Sequence, residues 1–365
     1  MKKVLFLANH FITLYRFRDE LIQRLVSNGY KVYLSLPEAK ENKYFADMGC
    51  KIIPTDIDRR GVNPLKDIKL ICDYRRIISK VNPDIILSYT IKPNIYGACV
   101  SGKLGYRQIC NITGTGGMFL KKSFVSMIAT FLYRYSLKKS YKVFFQNCGD
   151  RDLFVKRKMV GGNWDILPGS GVNLQRYKYL PLPETDKLKF IYIGRIMNIK
   201  GIDEYLECAN RIKHLYPNTV FYIAGWIEEK NYMDTIREYS KEGIVKYLGF
   251  RKDIDELIQK CHCTILTSHG GEGVPNVLLE SAACGRVCIT SRVDGAKDVV
   301  DDGKTGYMFE AGNSDELVEC VEKFITLDRK KRNEMGLAGR RKVESEFSRD
   351  IVTEKYLSEI ESCLN

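Results

Sequence analysis

The first half of the chain alternates short β-rich runs with longer stretches in which apolar residues recur at helical spacing. Val4–Ala8, Lys31–Leu36, Lys51–Pro54, Asp84–Tyr89, Gln108–Ile112 and Val143–Gln146 read as strands. Phe17–Asn28 reads as an amphipathic helix ended by Gly29, and Asp67–Val81 as another. Strand and helix alternating at this spacing predict a doubly wound parallel sheet. The rhythm breaks at the loop Pro168-Gly169-Ser170-Gly171-Val172-Asn173 and a polar stretch through Pro183. It then restarts with strands expected at Lys189–Ile193, Thr219–Ala224, Val245–Leu248, Cys263–Thr267, Val287–Thr290 and Tyr307–Phe309. The pattern therefore predicts an α/β protein of two Rossmann-like domains, with a linker near 171–186. A last helix is expected from Phe347-Ser348 to Leu364, with Ile351, Tyr356, Leu357 and Ile360 as its apolar positions.

The densest chemistry lies in residues 269–285, His-Gly-Gly-Glu-Gly-Val-Pro-Asn-Val-Leu-Leu-Glu-Ser-Ala-Ala-Cys-Gly. Glu272 sits among Gly270, Gly271 and Gly273. Pro275 suits the first turn of a helix, where its missing N–H costs nothing. From Asn276 onward the helix start offers backbone N–H groups and a partial positive charge, which suit a phosphate. Glu280 falls inside the same helix. One segment thus supplies a loop carboxylate, an anion cradle and a second carboxylate. Those are the groups that a sugar nucleotide needs for its sugar, its diphosphate and its ribose. An ordinary buried helix after a glycine loop is the plainer alternative, but packing alone gives no reason for three glycines around an acid.

The string Glu272-Gly273-Val274-Pro275, Leu279-Glu280-Ser281-Ala282, Cys284-Gly285 resembles the Glu-x7-Glu signature of glycosyltransferase family 4, whose members are retaining enzymes of the GT-B fold. The resemblance covers nearly the whole chain. It implies two Rossmann-like domains facing a cleft: residues 1–172 binding the acceptor, 173–346 binding the sugar nucleotide, and 347–365 a helix crossing back to the first domain. It also implies that Glu272 faces the donor sugar and that Glu280 binds the ribose. Gly194-Arg195 with Lys200-Gly201 matches the family's diphosphate-binding cations. A guanidinium and an ammonium there would offset charge growing on the leaving diphosphate, with no divalent metal required. Gly249-Phe250-Arg251 matches the turn that lines the nucleotide base. The implied catalytic set is Glu272, Arg195 and Lys200. The implied donor site is Gly194, Arg195, Lys200, Phe250, Arg251, Gly273, Val274, Pro275, Asn276 and Glu280. No cofactor is implied.

Acceptor candidates lie in the first half. Asn9-His10 ends the first strand, and a histidine there either touches the acceptor or is a plain loop residue. Many family members place a histidine after a later strand, where this chain reads Ser88-Tyr89-Thr90-Ile91-Lys92-Pro93. Thr90 or Lys92 is the candidate replacement. Gly114-Thr115-Gly116-Gly117 lacks the spacing of a dinucleotide or Walker loop and reads as a backbone strip, with Gly114 and Gly116 facing the acceptor. The block Ile91-Lys92-Pro93-Asn94 and the run from Asn111 to Phe119 resemble family members that build bacterial capsule, O-antigen and N-glycan precursors on undecaprenyl diphosphate.

Composition narrows the partners. The chain has 365 residues and a net charge of +13. Residues 1–170 hold 29 Lys/Arg against 13 Asp/Glu, so the excess is confined to this half. No acid occurs from Ile85 to Gly149. Such a surface suits an anionic partner, and membrane phospholipid, a lipid diphosphate and nucleic acid all qualify. No nucleic-acid-binding motif accompanies the charge. Lys121–Lys139 places Phe124, Ile128, Phe131, Leu132 and Tyr135 on one helical face framed by Lys121, Lys122, Arg134, Lys138 and Lys139. This is either an interfacial helix or a core helix with a basic rim. No apolar run approaches the roughly 20 residues of a membrane span, and the start Met-Lys-Lys-Val-Leu-Phe-Leu-Ala reads as a strand. The twelve cysteines include no CxxC pair, and Cys261-His262-Cys263 lacks a second ligand pair. The expected setting is cytoplasmic, peripheral at the inner face of the membrane, and the family resemblance implies a UDP-sugar donor and a lipid-linked saccharide acceptor. A sugar-nucleotide epimerase or hydrolase of the same architecture, or a non-catalytic sugar-nucleotide-binding subunit, are the alternatives.

Overall fold

Among the described residues every pairing between strands is parallel, so each strand must be reached by a crossover, and helices cover both faces of each sheet. The computed structural model describes residues 1–58, 61, 63–119 and 123–364. The chain divides into two units, residues 1–170 with 350–365, and residues 171–349.

In the first unit, β1 (Lys3–Leu7), β2 (Lys31–Leu36), β3 (Lys51–Pro54), β4 (Ile85–Tyr89), β5 (Gln108–Ile112), β6 (Lys142–Phe145) and β7 (Trp164–Ile166) form one sheet in the order β3-β2-β1-β4-β5-β6-β7. In the second, β8 (Leu188–Ile193), β9 (Thr219–Ala224), β10 (Val245–Tyr247), β11 (Cys263–Leu266), β12 (Val287–Ser291) and β13 (Gly306–Phe309) follow the order β10-β9-β8-β11-β12-β13. The two sheets share one logic. Successive strands are laid down to one side of the first, and then the chain jumps to its other side. This puts a topological switch between β1 and β4 and another between β8 and β11, where ligands of such sheets bind.

The predicted strands form, with β2, β3, β5 and β9 at the expected bounds and the others shifted by a residue or so, while the helices form with shifted ends. The helix expected at Phe17–Asn28 runs Asp19–Ser27, because Arg18 leaves helical geometry after a separate short helix, Phe11–Tyr15. The helix expected from Asp67 starts at Pro64, where the Asn63 side chain accepts from Leu65 N at 3.0 Å. Strand β7 was not anticipated. It has three residues at a sheet edge, all half-buried, which is too short to show a period.

The closing helix, Arg349–Leu364, buries Val352, Tyr356, Leu357, Ile360 and Cys363 in the same core cluster as Phe6, Leu34 and Tyr89. Ile351, expected on that face, is exposed instead. The Tyr356 hydroxyl donates to Asn111 Oδ1, and its ring meets Phe144 edge-on at 5.3 Å. Arg18 is fully buried, its guanidinium 4.9 Å from the Tyr89 ring centre and 5.3 Å from that of Tyr356. Stacking on two aromatic faces supplies part of what a buried cation loses with its water.

Candidate active site

The loops that leave β8 and β11 meet at the switch of the second unit. Gly194, Arg195 and Lys200 follow β8, and Glu272 follows β11. The Lys200 ammonium pairs with Glu272 Oε1, and both side chains are largely shielded. Ser268 Oγ donates to the same Glu272 oxygen at 3.2 Å. The backbone around Lys200 is fixed separately. Its carbonyl accepts from Thr267 Oγ1 at 3.0 Å, and the Arg195 carbonyl accepts from the Tyr192 hydroxyl at 2.8 Å. Gly201 lies at φ +68° against the Thr267 carbonyl, and any Cβ there would fall 1.9 Å from that oxygen. Only glycine permits this approach.

A second tie runs behind the Glu272 loop. His269 Nε2 lies 2.8 Å from Glu204 Oε1, and His269 N donates to Ile199 O at 3.0 Å. Ser291 Oγ donates to the Ser268 carbonyl. Gly295, at φ +80°, sits against the Gly273 carbonyl so closely that a Cβ would lie 1.6 Å away. The glycines therefore do have a packing role. Gly270 and Gly271 take positive φ to turn the loop, and Gly273 abuts Gly295. Glu204, His269 and Ser268 carried no motif, because their part depends on contacts across 65 residues of sequence or on backbone geometry.

Pro275 is the residue that caps the helix Asn276–Ala283, one position earlier than the first turn expected for it. Its carbonyl accepts the first helical bond, from Leu278 N at 3.1 Å. The N–H groups of Asn276 and Val277 thus precede the helix's own bonding and carry the positive end of its dipole. Val274 is buried beneath the loop. Glu280 is 8 % exposed, on a helix tied to β11 by Ser281 Oγ to Thr264 Oγ1 at 2.7 Å.

Gly194 N donates to Ala224 O, and Gly225 lies against the Gly194 carbonyl, where a Cβ would be 1.8 Å away. Gly225 N in turn reaches Gly249 O at 2.9 Å. This lacing brings Trp226 to Phe250, with ring centres 5.6 Å apart and both rings about half exposed. Trp226 had no place in any motif; a tryptophan at a strand's carboxyl end was its only signal. Arg251 makes a two-pronged ion pair with Asp253 at 2.8 and 2.5 Å, which holds the Asp253 carboxyl down at about 2.

The acceptor candidates cluster at the carboxyl ends of three adjacent strands, β1, β4 and β5. His10 caps the helix Phe11–Tyr15, its Nδ1 accepting from Ile12 N at 3.1 Å. Asn9 Oδ1 and Thr90 Oγ1 are buried without a hydrogen-bond partner among the described residues. Thr90 also sits at φ +75°, a costly conformation for a β-branched residue. Lys92 is engaged with Asp67 at 2.6 Å, and Tyr96 donates to the same carboxylate at 2.8 Å. Gly114 and Gly116 both take positive φ. His262, between two buried cysteines, accepts from Lys189 N through Nδ1 at 3.1 Å, and burial pushes its pKa down to about 4. That is the profile of a core acceptor.

Two family models match successive parts of the chain: glycosyl transferase 4-like over residues 3–147, and glycosyl transferases group 1 over residues 180–342. The chain belongs to this glycosyltransferase family. Among curated relatives, the N,N'-diacetylbacillosaminyl-diphospho-undecaprenol alpha-1,3-N-acetylgalactosaminyltransferase of Campylobacter jejuni is 24 % identical over 96 % of both chains. A UDP-Gal:alpha-D-GlcNAc-diphosphoundecaprenol alpha-1,3-galactosyltransferase of Escherichia coli is 23 % identical over 72 % of this chain and 71 % of its own. Among solved structures, a glycosyltransferase from Rickettsia africae superposes with a TM-score of 0.84 at 16 % identity, covering 100 % of this chain and 99 % of its own. Anabaena HepE, in complex with UDP and glucose, gives 0.80 at 17 % identity over 99 % and 100 %. These likenesses establish the GT-B fold.

Proposed function

We propose that this chain is a retaining, metal-independent glycosyltransferase. It moves a hexose or N-acetylhexosamine from a UDP-sugar to a lipid-diphosphate-linked saccharide in bacterial surface-polysaccharide synthesis. The observation that carries the reading is the meeting of Lys200 and Glu272 at the β8/β11 switch, beside the open first turn of the helix Asn276–Ala283. In this reading residues 173–346 bind the donor. Arg195, Lys200 and the N–H groups of Asn276 and Val277 take the diphosphate, Glu280 the ribose, and Trp226 with Phe250 the base. Gly194, Gly273, Val274 and Pro275 shape the backbone around it, and Arg251 braces the Phe250 turn.

Transfer then proceeds on one face of the sugar. The bond from the anomeric carbon to the β-phosphate oxygen breaks, and the acceptor oxygen bonds to the same carbon. The acceptor's proton passes to the departing phosphate. Glu272 orients the donor hydroxyls and stabilises the cationic sugar, while Arg195 and Lys200 offset charge on the leaving group. Residues 1–172 take the acceptor, with Asn9, His10, Thr90, Lys92, Gly114 and Gly116 as candidates. Their basic surface draws the protein to the anionic inner face of the cytoplasmic membrane. The first of the two named relatives is named for a diphospho-undecaprenol saccharide, which supports the acceptor class.

Calorimetry with UDP and UDP-sugars tests the donor half. Glu280→Ala should lose roughly 1.5–3 kcal/mol of affinity, the worth of a hydrogen bond to a charged acceptor. Unchanged affinity in a folded variant would overturn the ribose assignment. Transfer to a lipid-diphosphate saccharide that survives EDTA and keeps the anomeric configuration would support the rest. Turnover of the donor with no acceptor present would favour an epimerase or hydrolase.

A further inference from the structure

On either side of Thr90 the chain is held by buried polar side chains that no motif announced. Ser101 Oγ donates to Gln108 Oε1 at 2.9 Å, and Gln108 Nε2 donates to Ser88 Oγ at 2.7 Å. Ser88 Oγ donates on to Asn94 Oδ1 at 2.7 Å, and Asn94 Nδ2 donates to the Asn111 carbonyl at 2.7 Å. Asn111 N donates back to Asn94 Oδ1 at 3.3 Å, and Asn111 Nδ2 donates to the Ser88 carbonyl at 3.0 Å. The Tyr356 hydroxyl of the closing helix ends the series on Asn111 Oδ1. None of these side chains belongs to a residue more than 2 % exposed.

Asn94 is the centre of the series. Strand β4 ends at Tyr89, the register partner of Asn111, and Thr90 leaves the strand at φ +75°. Pro93 has no N–H to give, and the chain forms one π turn, Pro93–Gly97, before settling into the helix Ala98–Leu104. Such turns recur at functional sites. The Asn94 amide lies in this turn and takes both backbone groups of Asn111, as a neighbouring strand would. Asn94 N also donates to the Thr90 carbonyl at 3.0 Å. Gly97 lets the turn lie close on the sheet, since a Cβ there would fall 2.8 Å from Leu7 Cδ1 and 3.0 Å from Gln108 Nε2. A second tie runs to the helix Pro64–Val81, through Lys92 and Tyr96 to Asp67. The turn also seats the helix Phe124–Ser136, with Ile95 in one cluster with Ala129 and Tyr133. Leu132 of that helix, expected on its exposed apolar face, packs against the same cluster instead, and Met127 takes its place outside. Lys121 and Lys122, expected to frame that face, lie outside the described residues.

We infer that Asn94 is a positioning residue for the acceptor. Its amide holds Thr90 in the left-handed turn with Oγ1 unengaged, where that hydroxyl meets a hydroxyl of the acceptor saccharide. Stability alone does not call for this arrangement. Buried hydrogen-bonding partners replaced together by apolar groups of the same shape cost little, whereas a satisfied network fixes one geometry. Here each amide N and O of Asn94, Gln108 and Asn111 has a partner, while Thr90 Oγ1, held between Ser88 and Asn94, has none among the described residues. The charge of Lys92 is met by Asp67, so the group this strand end has left to offer is a hydroxyl, which both donates and accepts as a sugar hydroxyl does. The role rests on the proposed acceptor reading for its ligand, though not for its geometry.

Hydrogen exchange beside steady-state kinetics tests it, with a panel of UDP-hexoses and UDP-N-acetylhexosamines as donors and undecaprenyl-diphospho-N-acetylglucosamine as acceptor. Asn94→Asp keeps the shape and the bond from Ser88, but it turns an oxygen toward the Asn111 carbonyl. Backbone amides of residues 90–97 should exchange roughly tenfold faster in this variant, with those of Pro64–Val81 unchanged. KM for the acceptor should rise about tenfold, the worth of one hydrogen bond, and KM for the donor should stay put. Thr90→Gly accepts the same turn and removes the hydroxyl. In that background Asn94→Asp should add less than about twofold to the acceptor KM, because the two residues act as one. Equal factors in both backgrounds would overturn positioning through Thr90. So would unchanged exchange over residues 90–97, or a donor KM that rises with the acceptor KM. Should Asn94→Asp fail to fold, Tyr356→Phe removes only the bond to Asn111 Oδ1. It should raise the acceptor KM about threefold, and Thr90→Gly should again cancel the rise. No rise in folded Tyr356→Phe would overturn the role. Wild-type protein that transfers nothing to this lipid counts against the acceptor reading, and faster exchange over residues 90–97 in Asn94→Asp would still support the brace.

Discussion

The carboxyl ends of the two sheets are finished in opposite ways. In the second unit side chains at the switch are tied to one another or to backbone: Lys200 to Glu272, His269 to Glu204, Ser291 to Ser268, and three glycines pressed on carbonyls, with Glu204 Oε2 left buried without a partner among the described residues. In the first unit the equivalent strand ends keep hydrogen-bonding capacity in reserve. Asn9 Oδ1 and Thr90 Oγ1 are buried without partners among the described residues, and Thr90 is held in a strained conformation. A tied site suits a ligand of fixed shape, since fixed groups lose little freedom on binding. Reserve capacity beside strain suits a ligand whose contacts differ from one protein to the next. The contrast is what the proposed reading asks for, in which the second unit takes a nucleotide and the first a saccharide.

The sharpest way to break this contrast is to cut the tie at its centre. Lys200→Ala should lower kcat roughly 10²–10³-fold, as expected for removing one group that stabilises transition-state charge. Affinity for UDP should fall far less, because charge on the leaving diphosphate is greatest in the transition state. Steady-state kinetics beside calorimetry would expose an equal loss in both, which would make Lys200 a plain binding residue. A smaller effect is expected behind the loop. Glu204→Ala should cost about tenfold in kcat, since a misplaced catalytic loop loses rate more than affinity. Glu204→Gln keeps an acceptor for His269 and should recover most of it. If Glu204→Ala only lowers the melting temperature, with turnover per folded molecule intact, the pair is structural. The smallest effect belongs to the first unit. Thr90→Asn should gain on the order of 1 kcal/mol of stability in denaturant unfolding, because asparagine accepts positive φ. It should also raise KM for the acceptor and leave KM for the donor alone. An unchanged acceptor KM would remove Thr90 from the site.

The parts of this molecule that could be read from the chain are those written in local order. Strands β1 to β6 and β8 to β13 were legible because each is a short β-rich run. The Glu272–Glu280 segment was legible because loop, cap and helix are contiguous. Contacts assembled from distant residues were not. Nothing near Lys200 in sequence announces its pairing with Glu272, and nothing in Glu204 announces His269. Trp226 reaches Phe250 only because Gly194, Gly225 and Gly249 lie within backbone contact of one another. The helix Phe124–Ser136 shows the limit from the other side. Its period fixes which residues share a face, but which face meets the core depends on the shape of the surface beneath it.

The closing helix sets a schedule for synthesis. Val352, Tyr356, Leu357 and Ile360 complete a core whose other residues, among them Phe6, Tyr89 and Phe144, are made far earlier. All of the unit 171–349 must be translated in between. At roughly 5–20 residues per second, that leaves the first sheet without one of its covers for about ten seconds or more. During that interval Phe144 and the pocket around Arg18 face solvent or a chaperone. The nascent chain therefore meets its greatest risk of aggregation in the half that is made first, and the second unit can finish folding while the first still waits.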